Sequence, residues 1–380
     1  MALGWLQLWH RKLRFVVALA GIAFAVILIL MQAGFLASLT ESAVRYHQRF
    51  RYDVALFSRD SQFIVRPQSF SDRRLYQALA VEGVRSVSPV YIFPSVWRNP
   101  YTLGSHSIFT VGIDPEDDVL DAPGVRENRE QLRRQDVVLF DAGSRPEHGP
   151  IAERFAAGDK IETEVNDRHV TVGGLYTMGT SYGIDAGILT SGPNFLRLFP
   201  NRRKNQIDLG LIRLEPGADP IAVRDRLRAL LPEDVLVMTK ADFIARETAY
   251  WNQATPTGFV FGFGAVMGFV VGTIIVYQIL FADVTEHLPE YATLRAIGYS
   301  SRYLSGVVVQ QALILAVLGY IPGVLVALEL YHLAQRATKV PMALTPERAI
   351  GVLVATIVMC ALSGLLALRR VRRLDPAEVF

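Results

Sequence analysis

The sequence predicts an α-helical membrane protein: four transmembrane helices, with a large α+β domain inserted outside the membrane between the first and second. Three observations predict it. Four charge-free runs, 15–40, 248–282, 303–328 and 349–368, each reach the roughly 20 residues a helix needs to cross a hydrocarbon core about 30 Å thick. Between the first two lies a segment of ordinary soluble composition, roughly 41–250. Basic residues gather at the flanks, with Arg11, Lys12 and Arg14 before the first run and Arg369, Arg370, Arg372 and Arg373 after the last. Total composition decides less: 51% hydrophobic is close to the roughly 45–50% of soluble domains.

The net charge of +3 is too small to imply a nucleic-acid partner. Cys360 is the single cysteine and falls inside the last apolar run, which excludes an intramolecular disulfide and a cysteine-based zinc site. Lys/Arg excess marks the cytoplasmic side of short flanks. Both termini are therefore expected in the cytoplasm, and four spans satisfy that parity. The short loop 331–347 is then outside, although it carries Arg336 and Lys339.

Residues 1–12 read as a cytoplasmic amphipathic lead-in, with Trp5 and Trp9 suited to the membrane interface. The first span, 13–39, is much longer than the roughly 7–15 residues of a signal-peptide core, so an uncleaved anchor is expected. Its small residues, among them Ala18, Gly21 and Ala25, suit close helix packing. Gln32 is the one strongly polar residue in its core. It fits a hydrogen bond across an interface and equally a tolerated amide.

The domain 40–257 alternates strand and helix signals. Strands are expected at 52–57, 84–90, 107–112, 137–140, 160–165, 169–176, 187–190, 208–213 and 235–238, from β-branched content bounded by turn residues. Helices are expected at 72–81 and 221–231, the second announced by Pro216-Gly217-Ala218-Asp219-Pro220. Residues 240–257 read as a stalk helix leading into the second span.

The second span, 258–282, carries the ridge Gly264-xxx-Gly268-xxx-Gly272. Small residues four apart allow close helix approach, either across a dimer interface or within the chain. The elbow 283–302 is too polar to span, with Asp283, Glu286, Glu290, Arg295 and Arg302. It nevertheless places Leu288, Tyr291, Leu294 and Ile297 at helical spacing, before Gly298 as a stop. Such a helix either rests on the bilayer or docks in a partner's cleft. The third span, 303–330, contains Gly319, Pro322 and Gly323, a setting for a kink. The fourth is 348–368, and 369–380 is a basic cytoplasmic tail.

Motifs for catalysis are sparse. No G-x-x-x-x-G-K-[ST] occurs, so any ATP this protein uses is bound by another chain. Gly179-Thr180-Ser181-Tyr182-Gly183 matches the G-x-S-x-G of hydrolase elbows, which need a strand before and a helix after. Here the following residues read as extended, so a glycine-rich loop is expected rather than a nucleophile. The seven histidines form no i,i+4 pair. Asp114–Asp121, DPEDDVLD, reads as a solvated acidic turn rather than a cation site. Neither a catalytic residue, nor a cofactor site, nor a metal site is expected.

The run V-T-E-x-x-x-E-x-A-T-L-R-A-I-G-Y, Val284 to Tyr299, resembles the cytoplasmic loop of FtsX/MacB-like ABC transporter permeases, and Leu374–Glu378, L-D-P-A-E, is similar to their C-terminal exit. Within that family the chain looks most like the DevC subgroup of cyanobacterial exporters. The resemblance implies the type VII ABC (MacB-like) architecture and a homodimeric, non-catalytic permease in a bacterial inner membrane. It implies a DevA-like cytoplasmic ATPase that holds ATP and Mg²⁺, a DevB-like periplasmic adaptor and a TolC-like outer-membrane duct. Mechanotransmission would drive efflux of an amphiphile such as a glycolipid. By position it makes Glu286, Glu290, Leu294, Arg295, Ile297 and Gly298 the ATPase-coupling residues. Pro289 departs from the family's polar or basic residue there and unsettles where the coupling helix starts. The alternative is an FtsX-like signalling scaffold that regulates a cell-wall hydrolase without transport.

Overall fold

In the computed structural model of the chain, residues 12–181, 183–254, 256–287, 289–290, 293, 297, 299–340 and 342–371 are described. The chain divides into two compact units. One comprises Met1–Ser38, Pro256–Ala337 and Met342–Phe380, and the other Leu39–Thr255 with Thr338–Pro341.

The first unit is built from four helices: α1 (Lys12–Ala43), α8 (Pro256–Glu286), α9 (Ser301–Thr338) and α10 (Pro346–Val371). Among the described residues, these four are long and apolar enough to cross a membrane, with mean hydropathy of 2.3–2.7 in their spanning windows. They outrun the expected spans 13–39, 258–282, 303–330 and 348–368. Hydropathy marks the thickness of lipid, whereas the i→i−4 hydrogen bonding continues past it. Asp283 and Glu286, expected in the elbow, are thus the last turn of α8. α9 runs through Pro322 as one helix.

Both the inside and the outside of this unit are apolar. Ile22, Val26, Leu280, Ala316 and Met359 are buried between helices, while Phe259, Phe263, Val266 and Ile274 stand exposed along one face of α8. Lipid removes the hydrophobic driving force between helices, so close packing and hydrogen bonds must hold them. A Cβ at Gly319 would lie 2.7 Å from Ile22, and one at Gly323 2.8 Å from Val26, so α9 meets α1 backbone to side chain. Tyr331 donates its hydroxyl proton to the Leu30 carbonyl, Tyr320 to Ala349 O at 2.7 Å, and Ser363 to Thr273 O at 2.8 Å.

The second unit holds eleven strands among the described residues: β1 (Val54–Ser58), β2 (Phe70–Ser71), β3 (Val84–Arg98), β4 (Ser105–Ile113), β5 (Val137–Asp141), β6 (Glu162–Val165), β7 (Arg168–Tyr176), β8 (Gly187–Ser191), β9 (Gln206–Ile207), β10 (Leu209–Leu214) and β11 (Val235–Thr239). Nine form one mixed sheet in the order β11-β1-β10-β3-β4-β8-β5-β7-β6, and β2 pairs with β9. β3, 15 residues long, belongs to two lobes. Its first half pairs with β10, as in Val90 opposite Leu209. Its second half pairs with β4, and Trp97 meets Val165 of β6, closing β3-β4-β8-β5-β7-β6 into a ring.

Strand periodicity sets the cores. On β1, Val54 and Leu56 join Leu75, Val223 and Leu227 on one face, while Ala55 and Phe57 join Leu209, Leu211 and Phe243 on the other. A strand buried on both faces reads as a continuous apolar run, as VALFS does. In the ring, Val138 and Phe140 of β5 pack with Trp97, Val170 and Ile188, and Leu139 points to the opposite core. Asn166 and Asp167, at φ 48° and 60°, form the two-residue turn from β6 to β7, the left-handed pair that favours Asn and Asp.

Short helices cover the sheet: α2 (Arg45–Arg49), α3 (Arg73–Gln77), α4 (Ile151–Ala156), α5 (Gly192–Leu198), α6 (Pro220–Leu230) and α7 (Lys240–Ala249). Asp219 caps α6 by accepting from Ile221 N at 3.0 Å, with Pro220 in the first turn. The helix expected over 72–81 breaks into α3 and a 3₁₀ turn at Ala78–Ala80, and the one expected over 240–257 gives way to a π-helical turn at Tyr250–Ala254. The sequence reading passed over α4 and α5.

Candidate functional site

The elbow hangs from polar ends of two apolar helices. At the end of α8, His287 N donates to Asp283 O at 3.2 Å and its Nδ1 lies 2.9 Å from the same oxygen. Gln311 of α9 is fully buried and donates to Asp283 Oδ2 at 3.3 Å, tying the two helices together behind the elbow. Pro289, Glu290 and Thr293 are helical. Thr293 Oγ1 donates to Pro289 O at 2.9 Å and Ile297 N to Thr293 O at 3.1 Å, both at the i→i−4 spacing of an α-turn. Pro289 therefore sits before a turn it does not interrupt, since its missing N–H would be unsatisfied there in any case. Ser300 accepts from Tyr303 N through its carbonyl at 2.9 Å and its hydroxyl at 3.4 Å, and so starts α9.

Ile297 is 72% exposed, and Tyr299 and Tyr303, also exposed, lie 4.9 Å apart ring to ring. Glu286 and Glu290, N-terminal to them in the elbow, are exposed. Leu294, Arg295 and Gly298, with Leu288 and Tyr291 of the same stripe, lie outside the described residues. Among its described residues the elbow thus exposes both apolar side chains and carboxylates, on a segment between two membrane-spanning helices.

The glycine ridge of α8 faces α1 of the same chain. A Cβ at Gly264 would fall 2.5 Å from Gln32, at Gly268 3.2 Å from Ile29, and at Gly272 2.6 Å from Ala25. Within the chain these three glycines pack against α1, and Gly272 also against Met359 of α10. Gln32 is the polar end of this contact, and Gln32 Oε1 has no hydrogen-bond partner among the described residues.

In the second unit, Ser181 is followed by strand β8 and not by the helix that a nucleophile elbow requires; its Oγ accepts from Gly183 N at 3.2 Å. The acidic loop is answered by arginines. Asp121 pairs with Arg51 at 2.8 Å, Asp118 with Arg126 at 3.0 Å, and Glu116 with Arg133 at 2.5 Å. Among the described residues no cluster of His, Cys, Asp or Glu is set to hold a metal ion.

The sequence reading missed a buried polar cluster around Met178–Thr180. Asp141, 1% exposed at the end of β5, accepts from Met178 N and Gly143 N at 2.9 Å and from Gly179 N at 2.8 Å. Burial raises its pKa above the ordinary carboxylate value, against the pull of those three N–H groups and of Arg45. Arg45 Nη1 donates to Met178 O at 2.9 Å and Thr180 O at 3.0 Å. A charged residue closing the apolar strand VVLFD is the only signal in the sequence, and at a strand end it reads equally as solvent-facing.

The sequence matches the family described as MacB-like periplasmic core domain over residues 15–230 and the family described as FtsX-like permease C-terminal over residues 262–376. Two uncharacterized ABC transporter permeases of Mycobacterium tuberculosis, from strains CDC 1551 and H37Rv, are each 30% identical to it over 272 residues, covering 66% of this chain and 71% of the relative. The solved periplasmic region of MacB from Actinobacillus actinomycetemcomitans is 14% identical, covers 51% of this chain and 91% of its own, and has a TM-score of 0.37. The extracellular domain of the noncanonic ABC-type transporter YknZ from Gram-positive bacteria is 16% identical, with 49% and 98% covered and a TM-score of 0.34.

Proposed function

We propose, from the fact that this chain belongs to the MacB/FtsX-type ABC transporter permeases, that it is the membrane subunit of a tripartite exporter for an amphiphile such as a glycolipid. In this reading it is a DevC-type permease, homodimeric, in a cyanobacterial inner membrane with both termini in the cytoplasm. A separate DevA-like ATPase binds ATP and Mg²⁺, a DevB-like adaptor meets the periplasmic domain, and a TolC-like duct crosses the outer membrane. The chain itself transmits force and catalyses nothing.

The observation that carries the reading is the exposed apolar surface of Ile297, Tyr299 and Tyr303 on a polar elbow between two membrane helices. Fully burying one such side chain stabilises by about 1.5–3 kcal/mol, so a partner that covers this surface gains affinity where the chain offers leverage. The Asp283–Gln311 bond joins α8 to α9 directly behind the elbow. A displacement applied at Ile297 then reaches both helices together.

Affinity purification of the tagged protein in mild detergent, with mass spectrometry of what accompanies it, tests this. The expected result is a small cytoplasmic ATPase together with a periplasmic adaptor. An ATPase recovered with a cell-wall hydrolase and no adaptor would replace the exporter with a signalling scaffold. Absence of any ATPase after crosslinking at the elbow would overturn the reading.

A further inference from the structure

We propose that the Met178–Ser181 loop is the joint through which movement of the membrane helices turns the closed-ring lobe, with Thr180 and Arg45 as its positioning residues. The inference rests on the functional reading above. It concerns contacts inside the second unit, where the segments that connect it to the first converge.

The chain passes between its two units four times, after Ser38, Thr255, Ala337 and Pro341. Each connecting segment places a residue on or beside this loop. Arg45, shortly after the first passage, holds the carbonyls of Met178 and Thr180. Lys339, between the last two, accepts the Thr180 hydroxyl proton at 2.8 Å through its carbonyl. Trp251, shortly before the second, lies where a Cβ on Gly183 would stand 3.6 Å away. Lys339 itself sits at φ 58°, a conformation that an L-residue adopts only when its surroundings hold it there. Thr180 supplies such a hold, and it is 1% exposed.

The other edge of the loop is fixed to the ring. Met178 N and Gly179 N both donate to Asp141, the last residue of β5, and the loop follows directly from Tyr176, the last residue of β7. β5 and β7 are parallel neighbours in the ring, so the loop grips two adjacent strand ends. Gly179 takes φ +84°, and a Cβ there would press within 2.7 Å of Arg45 Nη1, so side chains are excluded where the loop threads between the arginine and the carboxylate. Its carbonyls face the connecting segments and its N–H groups face the ring. A shift of Lys339 reaches the loop through Thr180 Oγ1 and a shift of Arg45 through the Met178 and Thr180 carbonyls, and the Asp141 carboxylate passes both to the end of β5.

The test uses the full chain in complex with the ATPase that copurifies with it, in lipid nanodiscs, with and without ATP plus vanadate. Hydrogen exchange is followed at Met178 and Gly179 alongside ATPase stimulation. In the unmodified protein the two amides are expected to change protection between the nucleotide states. Thr180→Val is expected to shrink that difference about fivefold, the factor one ordinary hydrogen bond is worth. Stimulation should fall with it, while the protein stays folded with a thermal midpoint lowered by no more than one hydrogen bond accounts for, and ATPase binding persists. Thr180→Ser, which keeps the hydroxyl, should restore both. Equal protection in the two nucleotide states of the unmodified complex, or a Thr180→Val protein that responds like its parent, overturns the joint and leaves the exporter reading standing. Failure of any ATPase to copurify overturns that reading and the joint with it.

Discussion

Alanine substitutions at three glycines along α8 give a gain, no net change and a loss, and the structure fixes the order. An interior helical Gly→Ala change gains up to about 1 kcal/mol in helix propensity. At Gly262, where nothing lies within 4 Å of an added Cβ, that gain stands alone. At Gly268 the new methyl meets Ile29 at 3.2 Å and Leu28 at 3.3 Å, a contact relieved by a few tenths of an ångström, so gain and loss roughly cancel. At Gly272 it stands 2.6 Å from the Cβ of Ala25, which has no rotamer to swing away, and beside the flexible tip of Met359. Overpacking of this kind costs about 1–3 kcal/mol, leaving Gly272→Ala net destabilised by up to about 2 kcal/mol. The thermal midpoint of the detergent-solubilised protein should rise slightly, hold, and fall by a few degrees across the three. Adding Ala25→Gly to Gly272→Ala should recover most of the loss. Equal midpoints for Gly262→Ala and Gly272→Ala, or no recovery in the double variant, would refute the assignment of this ridge to α1. Loss of a dimer in native mass spectrometry, with the midpoint unchanged, would mean that the ridge faces a second copy.

Three further outcomes are expected. Ile297→Asp should weaken ATPase binding by tenfold or more, given about 1.5–3 kcal/mol for one buried apolar side chain, and Glu290→Lys should weaken it too by reversing a charge, while membrane assembly is unchanged; binding measured by titration at parental strength would remove the elbow from the interface. Asp136 is held well below the usual carboxylate range, chiefly by hydrogen bonds from Arg168 and then Arg197, against the opposing effect of burial. A carboxylate depressed in the folded state contributes stability above its unfolded pKa of about 3.9 and loses it as pH falls below that value; Asp136→Asn should therefore lower stability by about 1–2 kcal/mol at neutral pH and flatten the acid limb of the midpoint-versus-pH curve, and an acid limb identical to the parent's would count against the Arg168–Asp136–Arg197 cluster as its source. Ser181→Ala should leave transport and folding intact, since β8 follows where a nucleophile would need a helix; loss of activity in a folded protein would contradict this.

What the sequence made legible followed from local physics. Four charge-free runs announce four membrane helices because lipid tolerates no exposed charge and requires each backbone group to be satisfied within its own segment. The elbow is legible for the converse reason, as Asp283, Glu286 and Glu290 interrupt apolar sequence too early to be inside a span. Spacing announced a close contact at Gly264, Gly268 and Gly272, but not that α1 would fill it, because small residues specify approach and not the identity of the neighbour. In the inserted domain, strand periodicity placed most strands within a few residues. It missed α5, although Ser191 caps that helix by accepting from Asn194 N and Pro193 stands in its first turn. The ring was not legible, since it depends on Trp97 meeting Val165, a pairing no local pattern encodes. The Arg45–Thr180–Asp141 cluster was hidden for the same reason, its members being far apart in sequence and each unremarkable alone.

The two units are held by different forces, and that difference divides their mechanical roles. The second unit has three apolar cores joined through one long strand, and β1 and β5 are buried on both faces. Relative sliding of those layers would expose apolar surface to water at about 25 cal/mol per Å², so the sheet moves as a body. The first unit gains nothing comparable from keeping its helices together, because Phe263 or Val266 is equally at home against lipid. Its helices are held instead by small-residue contacts such as Gly323 on Val26 and by single hydrogen bonds such as Ser363 to Thr273 O. Hydrogen bonds between membrane helices average only about 0.6 kcal/mol, so a shear of one helix along another forfeits little and exposes nothing to water. Conformational change is therefore expected in the helix packing rather than within the sheet.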